Sequence, residues 1–101
     1  MSYKGQRAPE GATDVSVPKQ YSVILHNDDF TTMEFVVDIL VRIFNKTQQQ
    51  AANIMMDVHG GGKGAAGTYT YDIAMTKKIQ TEQLAVAQGF PLRLTLEELL
   101  S

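Results

Sequence analysis

The sequence predicts an α+β domain in which three helices pack on one face of a small three-stranded antiparallel sheet. Residues 21–26 place Tyr21, Val23 and Leu25 at alternate positions, which predicts a strand largely buried on at least one face, and residues 92–97 alternate apolar and polar side chains, as a half-buried strand does. Between them, two capping-box patterns and two glycine stops bound helical segments. The predicted order of elements is β-α-α-β-α-β, and we expect a flexible N-terminal extension over residues 1–18 before a single domain over residues 19–101.

The first predicted helix follows a polar run at residues 27–29, which disfavours both helix interior and strand. Thr31 and Glu34 have the spacing of a capping box, which predicts Thr31 as the N-cap. Apolar residues nearly surround the helix over residues 33–44, so it should be mostly buried. The exception is a polar stripe formed by Glu34, Asp38 and Arg42.

The second predicted helix begins at another capping box, Thr47 and Gln50, and ends at the triple glycine of residues 60–62. The strand expected over residues 63–69 contains Gly64 and Gly67. Small residues inside a strand indicate a bulge or a close approach of another backbone.

The third predicted helix runs over residues 72–88, with Gly89 as its C-cap and Pro91 just beyond. The last strand then follows, with its leucines on one face. They are Leu92, Leu94 and Leu96.

Bulk composition excludes several classes of function. The formal net charge of the 101 residues is -2, which argues against a nucleic-acid-binding protein. The chain contains no cysteine, so disulfides, thiol catalysis and cysteine-ligated zinc are excluded. No segment has the pattern of a signal peptide or a transmembrane helix, and we expect a cytoplasmic protein with no membrane partner.

Two polar features could bind a cation. Because Thr31 can cap the first helix, neither aspartate of the run Asn27, Asp28 and Asp29 is needed there, and both carboxylates are left free for an ammonium or a metal. The alternative is a solvated turn. His59 ends the second helix and can accept a hydrogen bond from an ammonium, or it can simply favour the negative end of the helix dipole.

Methionines suit a pocket that accepts several side-chain shapes, although each one is equally compatible with core packing. The candidates are Met33, Met55, Met56 and Met75. The glycine-rich G-G-G-K-G stretch lacks the spacing of a phosphate-binding loop and is interpreted as a turn. With only two histidines in the chain, acid–base catalysis has few candidate groups, and we expect no enzymatic activity.

Four motifs in register resemble the ClpS family of Clp protease adaptors. They are V-I-L-H-N-D-D-F-T-T-M-E-F-V over residues 23–36, M-M-D-V-H ending at His59, T-K-K at residues 76–78, and P-L at residues 91–92. The likeness extends from about Pro18 to the C-terminus. It implies an adaptor, without a cofactor or metal, that delivers N-degron substrates to a ClpA- or ClpC-type AAA+ unfoldase.

The resemblance also implies roles for individual residues. Asn27, Asp28 and His59 would bind the free α-amine of the substrate. Asp29 and Thr31 would face the substrate backbone, with Thr31 also lining the pocket. A bulky first side chain, Leu, Phe, Tyr or Trp, would enter a hydrophobic pocket built by Met33, Val36, Met55, Val58 and Leu92. Asp72 and Lys77 would contact the N-terminal domain of the unfoldase.

Two other functions are compatible with parts of the sequence. A non-enzymatic interaction module like the C-terminal domain of the ribosomal stalk protein has a similar topology, but that family uses a lysine-rich helix and leaves the N-D-D run unexplained. A metal-dependent enzyme could use Asp28, Asp29 and His59, but it would need further ligands from elsewhere in the chain.

Overall fold

The computed structural model describes residues 18–100, so the predicted extension over residues 1–18 lies outside it except for Pro18. The order of elements is the predicted one. The elements are β1 (Gln20–His26), α1 (Met33–Arg42), α2 (Gln48–Gly61), β2 (Lys63–Thr70), α3 (Tyr71–Gln88) and β3 (Arg93–Glu98).

The sheet has the strand order β2-β1-β3, and both pairings are antiparallel. Alternation places Val23 and Leu25 of the central strand on the face that the helices cover, where both are fully buried. Leu94 lies opposite Leu25, so the leucine pattern of the last strand also faces the core, as predicted. The buried core comprises Val23, Leu25, Val36, Ile39, Leu40, Phe44, Ala51, Val58, Ala66, Ala74, Ala85, Leu92 and Leu94.

The last residue of β1, His26, lies on the opposite face of the sheet from the core. Its Nε2 atom lies 2.7 Å from Thr95 Oγ1 on β3. Burial, followed by the positive charges of Arg93 and Lys63, lowers the pKa of His26 below its usual value of 6.5. A neutral ring therefore anchors the end of β1, directly before the polar run.

The N-cap of α1 is Thr32, so the prediction of Thr31 was wrong by one residue. Thr32 has an extended backbone, and its hydroxyl accepts the N–H of Phe35 at 3.1 Å. The Thr31 hydroxyl instead donates to Asp28 Oδ2 at 2.7 Å. The Thr31 N–H also donates to Asp28 Oδ1 at 2.7 Å, so Thr31 is held in the loop before the helix and the cap falls to Thr32.

Both predicted ends of α2 are confirmed. The Thr47 hydroxyl accepts the Gln50 N–H at 3.1 Å, and the Gln50 side chain accepts the Thr47 N–H at 3.0 Å. The C-cap is Gly62, whose φ of 90° is a left-handed conformation that glycine adopts without strain.

Strand β2 has both features that its small residues predicted. Its register against β1 shifts between Val23 and Ile24, which leaves Ala66 as the extra residue of a β-bulge. A Cβ atom added at Gly64 would lie 2.9 Å from Val58 Cγ2 on α2. The absence of a side chain at Gly64 therefore sets how closely α2 approaches the sheet.

Helix α3 begins at Tyr71 and ends at Gln88, with Gly89 as the predicted left-handed C-cap at φ 79°. It lies across all three strands and buries Ala74, Thr81 and Ala85, whose small size permits close packing. Neither α3 nor any other helix within residues 18–100 is long and apolar enough to cross a lipid bilayer.

Candidate functional site

A hollow of about 550 Å³ opens where the end of β1, the following loop and the last turns of α2 meet. This volume falls in the range of small-ligand sites, about 300–1,000 Å³. The lining residues are Asn27, Asp28, Asp29, Phe30, Thr31, Thr32, Met33, Glu34, Val36, Met55, Val58 and His59. The hollow therefore unites the polar run, the start of α1 and the second-helix motif.

Asp28 organises the loop, and the prediction that its carboxylate is left free was wrong. Its Oδ1 atom accepts the N–H groups of Phe30 at 2.8 Å and Thr31 at 2.7 Å. Its Oδ2 atom accepts the Thr31 hydroxyl at 2.7 Å. Three bonds to one carboxylate fix the backbone of residues 28–31, so the side chains of the loop are held at defined positions around the hollow.

The pKa of the Asp28 carboxyl reflects two opposing effects. Partial burial raises it, but the bonds from Thr31 and Phe30 outweigh burial and hold it below its usual value of 3.8. A depressed pKa means that the contribution of this carboxylate to folding is fully present above pH 3.8. That contribution is lost as the pH falls through the lower value of the folded state. Asp28 is thus an anion throughout the neutral range.

A backbone hydrogen bond brings Asn27 to the end of α2. The Asn27 N–H donates to the Gly62 carbonyl at 2.9 Å, and the Gly62 N–H donates to the Val58 carbonyl at 3.0 Å. His59 lies in this last turn and lines the hollow with Asn27. The structure therefore brings together the amide, the carboxylate and the imidazole that the sequence predicted as one site.

The charge of the hollow is negative. Three of its lining residues carry carboxylates, Asp28, Asp29 and Glu34, and none of the described lining residues is lysine or arginine. The C-terminal end of α2, at His59, adds the negative end of a helix dipole. The site is therefore suited to a cation with several N–H donors, such as a primary ammonium.

The inner part of the hollow is apolar. Val36 and Val58 are buried and belong to the core, so they form a fixed floor. Met55 is half-buried, and Met33 is 43% exposed. Because unbranched methionines adapt their rotamers, these two walls can fit apolar groups of different shapes.

One predicted pocket residue lies elsewhere. Leu92 is only 6% exposed and packs in the core, and it is not among the residues that line the hollow. Its contact with a substrate side chain stays a prediction. Conversely, sequence reasoning missed Phe30, Thr32 and Glu34 as lining residues. Phe30 and Thr32 lie inside the continuous run from Asn27 to Met33, and Glu34 follows it directly. That position was the available signal.

The two predicted docking residues lie away from the hollow, on α3. Asp72 is exposed in the first turn of the helix. The Lys77 ammonium donates to the Ile43 carbonyl at 2.6 Å, and it lies 5.2 Å from the ring centre of Tyr69 and 5.9 Å from that of Phe44. Lys77 thus ties α3 to the end of α1, and two of its three donors remain for other contacts.

Within residues 18–100, no three acidic or histidine side chains converge closely enough to hold a metal ion. Asp28, Asp29 and His59 share the hollow, but they do not form such a group.

A family model for the ATP-dependent Clp protease adaptor protein ClpS matches residues 16–95 of the chain. This match covers most of the sequence, including every residue that lines the hollow. The chain belongs to the ClpS family. The resemblance seen in the sequence motifs is therefore confirmed, and the family consists of protease adaptors rather than enzymes.

Relatives within the ClpS family match over most of their length. The chain is 54% identical over 84 residues to the ClpS of Clostridium acetobutylicum, which covers 83% of each chain. It is 50% identical over 97 residues to the ClpS of Acetivibrio thermocellus, covering 96% of this chain and 98% of the relative. Both relatives are described as ATP-dependent Clp protease adapter proteins.

A solved ClpS structure has the same fold. It is Agrobacterium tumefaciens ClpS2 bound to L-phenylalaninamide, which superposes with a TM-score of 0.78 at 36% sequence identity. The match covers 82% of this chain and 100% of the ClpS2 chain. The predicted α+β fold and element order are therefore confirmed for this member of the family.

Proposed function

We propose that this protein captures N-degron substrates by the free α-amine and the bulky hydrophobic side chain of their first residue. The side chains that it accepts are Leu, Phe, Tyr and Trp. It then delivers these substrates to a ClpA- or ClpC-type AAA+ unfoldase. Both steps take place in the bacterial cytoplasm. No covalent chemistry is involved, and the protein acts as a recognition module.

One observation carries the proposal: a single hollow joins an anionic, amide-containing edge to an apolar floor. Asn27 and Asp28 offer acceptors for an ammonium, and His59 offers another when its ring is neutral. The apolar floor beside them suits a large hydrocarbon or aromatic group. The first residue of a protein is the part of a polypeptide that carries both a primary ammonium and a side chain on the same carbon.

The energies explain why both features are required. A hydrogen bond to a charged group contributes about 1.5–3 kcal/mol, and burial of a large apolar side chain contributes roughly 1.5–3 kcal/mol. Association itself costs several kcal/mol of translational and rotational freedom. Either feature alone therefore gives weak binding, and a free amine next to a bulky side chain gives useful affinity.

The ligand of the related ClpS2 supports the same assignment. L-phenylalaninamide has a free α-amine, a benzyl side chain and an amide where the next residue of a chain would begin. Asn27, Asp28 and His59 are proposed to bind the amine, with Asp29 and Thr31 next to the substrate backbone. The pocket for the side chain is proposed to comprise Met33, Val36, Met55, Val58 and Leu92.

Delivery is proposed to use the exposed start of α3. Asp72 presents a carboxylate there, and Lys77 lies about one and a half turns further along the helix. The ammonium of Lys77 is partly committed to the Ile43 carbonyl, so Asp72 is proposed to make the dominant contact with the unfoldase.

The proposal is tested by titrating the protein with two forms of one fluorescent peptide that begins with Phe. One form has a free amine, and the other is acetylated. We expect binding of the free form and a loss of affinity of at least tenfold on acetylation, because the charge-assisted bonds to the amine are removed. Fluorescence anisotropy measures both affinities.

A third peptide with N-terminal Ser and a free amine tests the apolar half of the site. It should bind at least tenfold more weakly than the Phe peptide, since it leaves the floor of the hollow unfilled. Equal affinity for all three peptides would contradict the proposal.

A further inference from the structure

Phe30 stands out at the edge of the hollow. It is 73% exposed, more than any other aromatic side chain in residues 18–100. Among residues 18–100, the ring belongs neither to the core nor to the half-buried residues packed against the core. Phe30 also lines the hollow, so its exposed ring adjoins the site proposed for the substrate and is accessible to it.

The backbone of Phe30 is fixed by hydrogen bonds within the loop. Its N–H donates to Asp28 Oδ1 at 2.8 Å, and the next residue, Thr31, makes two further bonds to the same carboxylate at 2.7 Å. The backbone from which the ring extends is therefore held at the rim of the hollow by the same carboxylate that is proposed to bind the amine. A pre-positioned contact loses little conformational freedom on binding.

The rim near Phe30 is otherwise polar. The other lining residues that are exposed at the polar edge are Asn27, Asp29, Thr32, Glu34 and His59. Phe30 is thus the exposed aromatic surface at the rim of the hollow.

The geometry of an extended chain indicates which substrate residue meets the ring. This step rests on the proposed function, in which the first side chain enters the hollow. In an extended chain the side chains alternate, so the first and third point to the same side, about 7 Å apart along the chain. The third side chain therefore returns to the surface at the rim, while the second points away.

We propose that Phe30 is a specificity-determining residue that contacts the third residue of the substrate and favours an apolar side chain there. A contact between an aromatic ring and an aliphatic side chain at a partly exposed site should raise affinity about three- to tenfold over glycine. The adaptor would then select among N-degrons that share the same first residue.

The test compares three peptides with identical tails that begin Phe-Gly-Gly, Phe-Gly-Leu and Phe-Leu-Gly. In the unaltered protein, Phe-Gly-Leu should bind about three- to tenfold more tightly than Phe-Gly-Gly. In Phe30→Ser this ratio should fall to about one, and in Phe30→Tyr, which keeps the ring, it should persist. Val86→Ser, which removes another exposed apolar side chain on α3, is the matched control and should leave the ratio unchanged.

Three outcomes would overturn the inference: no leucine advantage in the unaltered protein, the same advantage in Phe30→Ser as in the unaltered protein, or an advantage confined to Phe-Leu-Gly. Acetylated Phe-Gly-Gly separates this inference from the proposed function. If the protein binds the acetylated and free peptides equally, the proposed function fails. If it requires the free amine but shows no leucine advantage, only the role of Phe30 fails.

Discussion

Asp28 shows how one side chain can both shape a site and supply its charge. Its two oxygens accept three hydrogen bonds from residues 30 and 31, and each carboxylate oxygen has lone pairs for more than one donor. The loop bonds therefore leave acceptor capacity for an ammonium. They also lower the pKa of the carboxyl, which keeps it charged at neutral pH.

Substitutions at Asp28 should separate these two roles. In Asp28→Asn, the amide oxygen can still accept both backbone N–H groups, so the free energy of unfolding should change by less than about 1 kcal/mol. Loss of the negative charge should weaken binding of a Phe-initiated peptide by about tenfold or more. Asp28→Ala should lose both the loop hydrogen bonds and the negative charge, with a stability cost of roughly 1–3 kcal/mol.

Urea unfolding and peptide anisotropy measure the two effects, and Asp57→Asn is the matched control, since Asp57 is an exposed carboxylate on α2 that does not line the hollow. Unchanged peptide affinity in Asp28→Asn would rule out the charge as the source of binding.

The chain has two consecutive threonines at this loop, and the sequence could not tell which of them caps α1. Thr31 has glutamate three residues later, which favoured it. The decisive contact, Asp28 to the Thr31 hydroxyl, depends on the fold of the loop, and no periodic pattern reports it. By contrast, Asn27, Asp28 and His59 were predicted from their motifs, and the structure places all three around one hollow.

Helix α2 and strand β2 are joined by glycines with different tasks. Gly62 adopts a left-handed conformation that ends the helix, whereas Gly64 makes room for Val58. Gly60 is helical, and a Cβ atom there would meet nothing within 4 Å. The sequence predicted the helix stop from the triple glycine, but only the packing distances distinguish the individual roles.

Gly64→Ala and Gly60→Ala should therefore change stability in opposite directions. The new methyl group at Gly64 would lie 2.9 Å from Val58 Cγ2 and 3.2 Å from the Ile54 carbonyl, and such overpacking costs about 1–3 kcal/mol. At Gly60, alanine restricts the unfolded chain and should stabilise the protein by about 0.5–1 kcal/mol. Urea midpoints compare the two variants, and the same sign of change in both would contradict this assignment.

Strands and helices with a clear period or cap were predictable, because those signals are local. The alternating leucines, the Thr47–Gln50 box and the cap at Gly89 all appear as expected. Leu92 shows where local signals end. Its place in the strand pattern was clear, but its burial in the core, outside the lining of the hollow, depends on how the other elements pack.

The two proposed activities lie at opposite ends of the central strand. Gln20 pairs with Thr70, just before Asp72, whereas His26 pairs with Lys63 and leads into Asn27. Six residue steps along a strand span about 20 Å. The sheet therefore separates the hollow from the start of α3 by about this distance.

This separation predicts that the two activities can be removed independently. Asp72→Lys should weaken binding to the N-terminal domain of a ClpA- or ClpC-type unfoldase by about tenfold or more, because it replaces an attractive charge with a repulsive one. Its affinity for a Phe-initiated peptide should stay within about twofold, since distant sites act additively. Pull-down measures binding to the unfoldase domain, and fluorescence anisotropy measures the affinity for the peptide.

Asp28→Asn serves as the reciprocal control, since it should lose affinity for the peptide and keep its affinity for the unfoldase domain. Loss of peptide affinity in Asp72→Lys would show that the two surfaces are coupled or overlap.

The hydrogen bond from the Asn27 N–H to the Gly62 carbonyl has a consequence for synthesis. It joins Asn27, the first lining residue of the hollow, to the turn that follows His59. The hollow therefore needs both of these segments of the chain. During translation the ribosome must release the chain beyond Gly62 before this hydrogen bond can form and complete the hollow. We therefore expect a truncated product that ends before this turn to bind no N-terminal peptide.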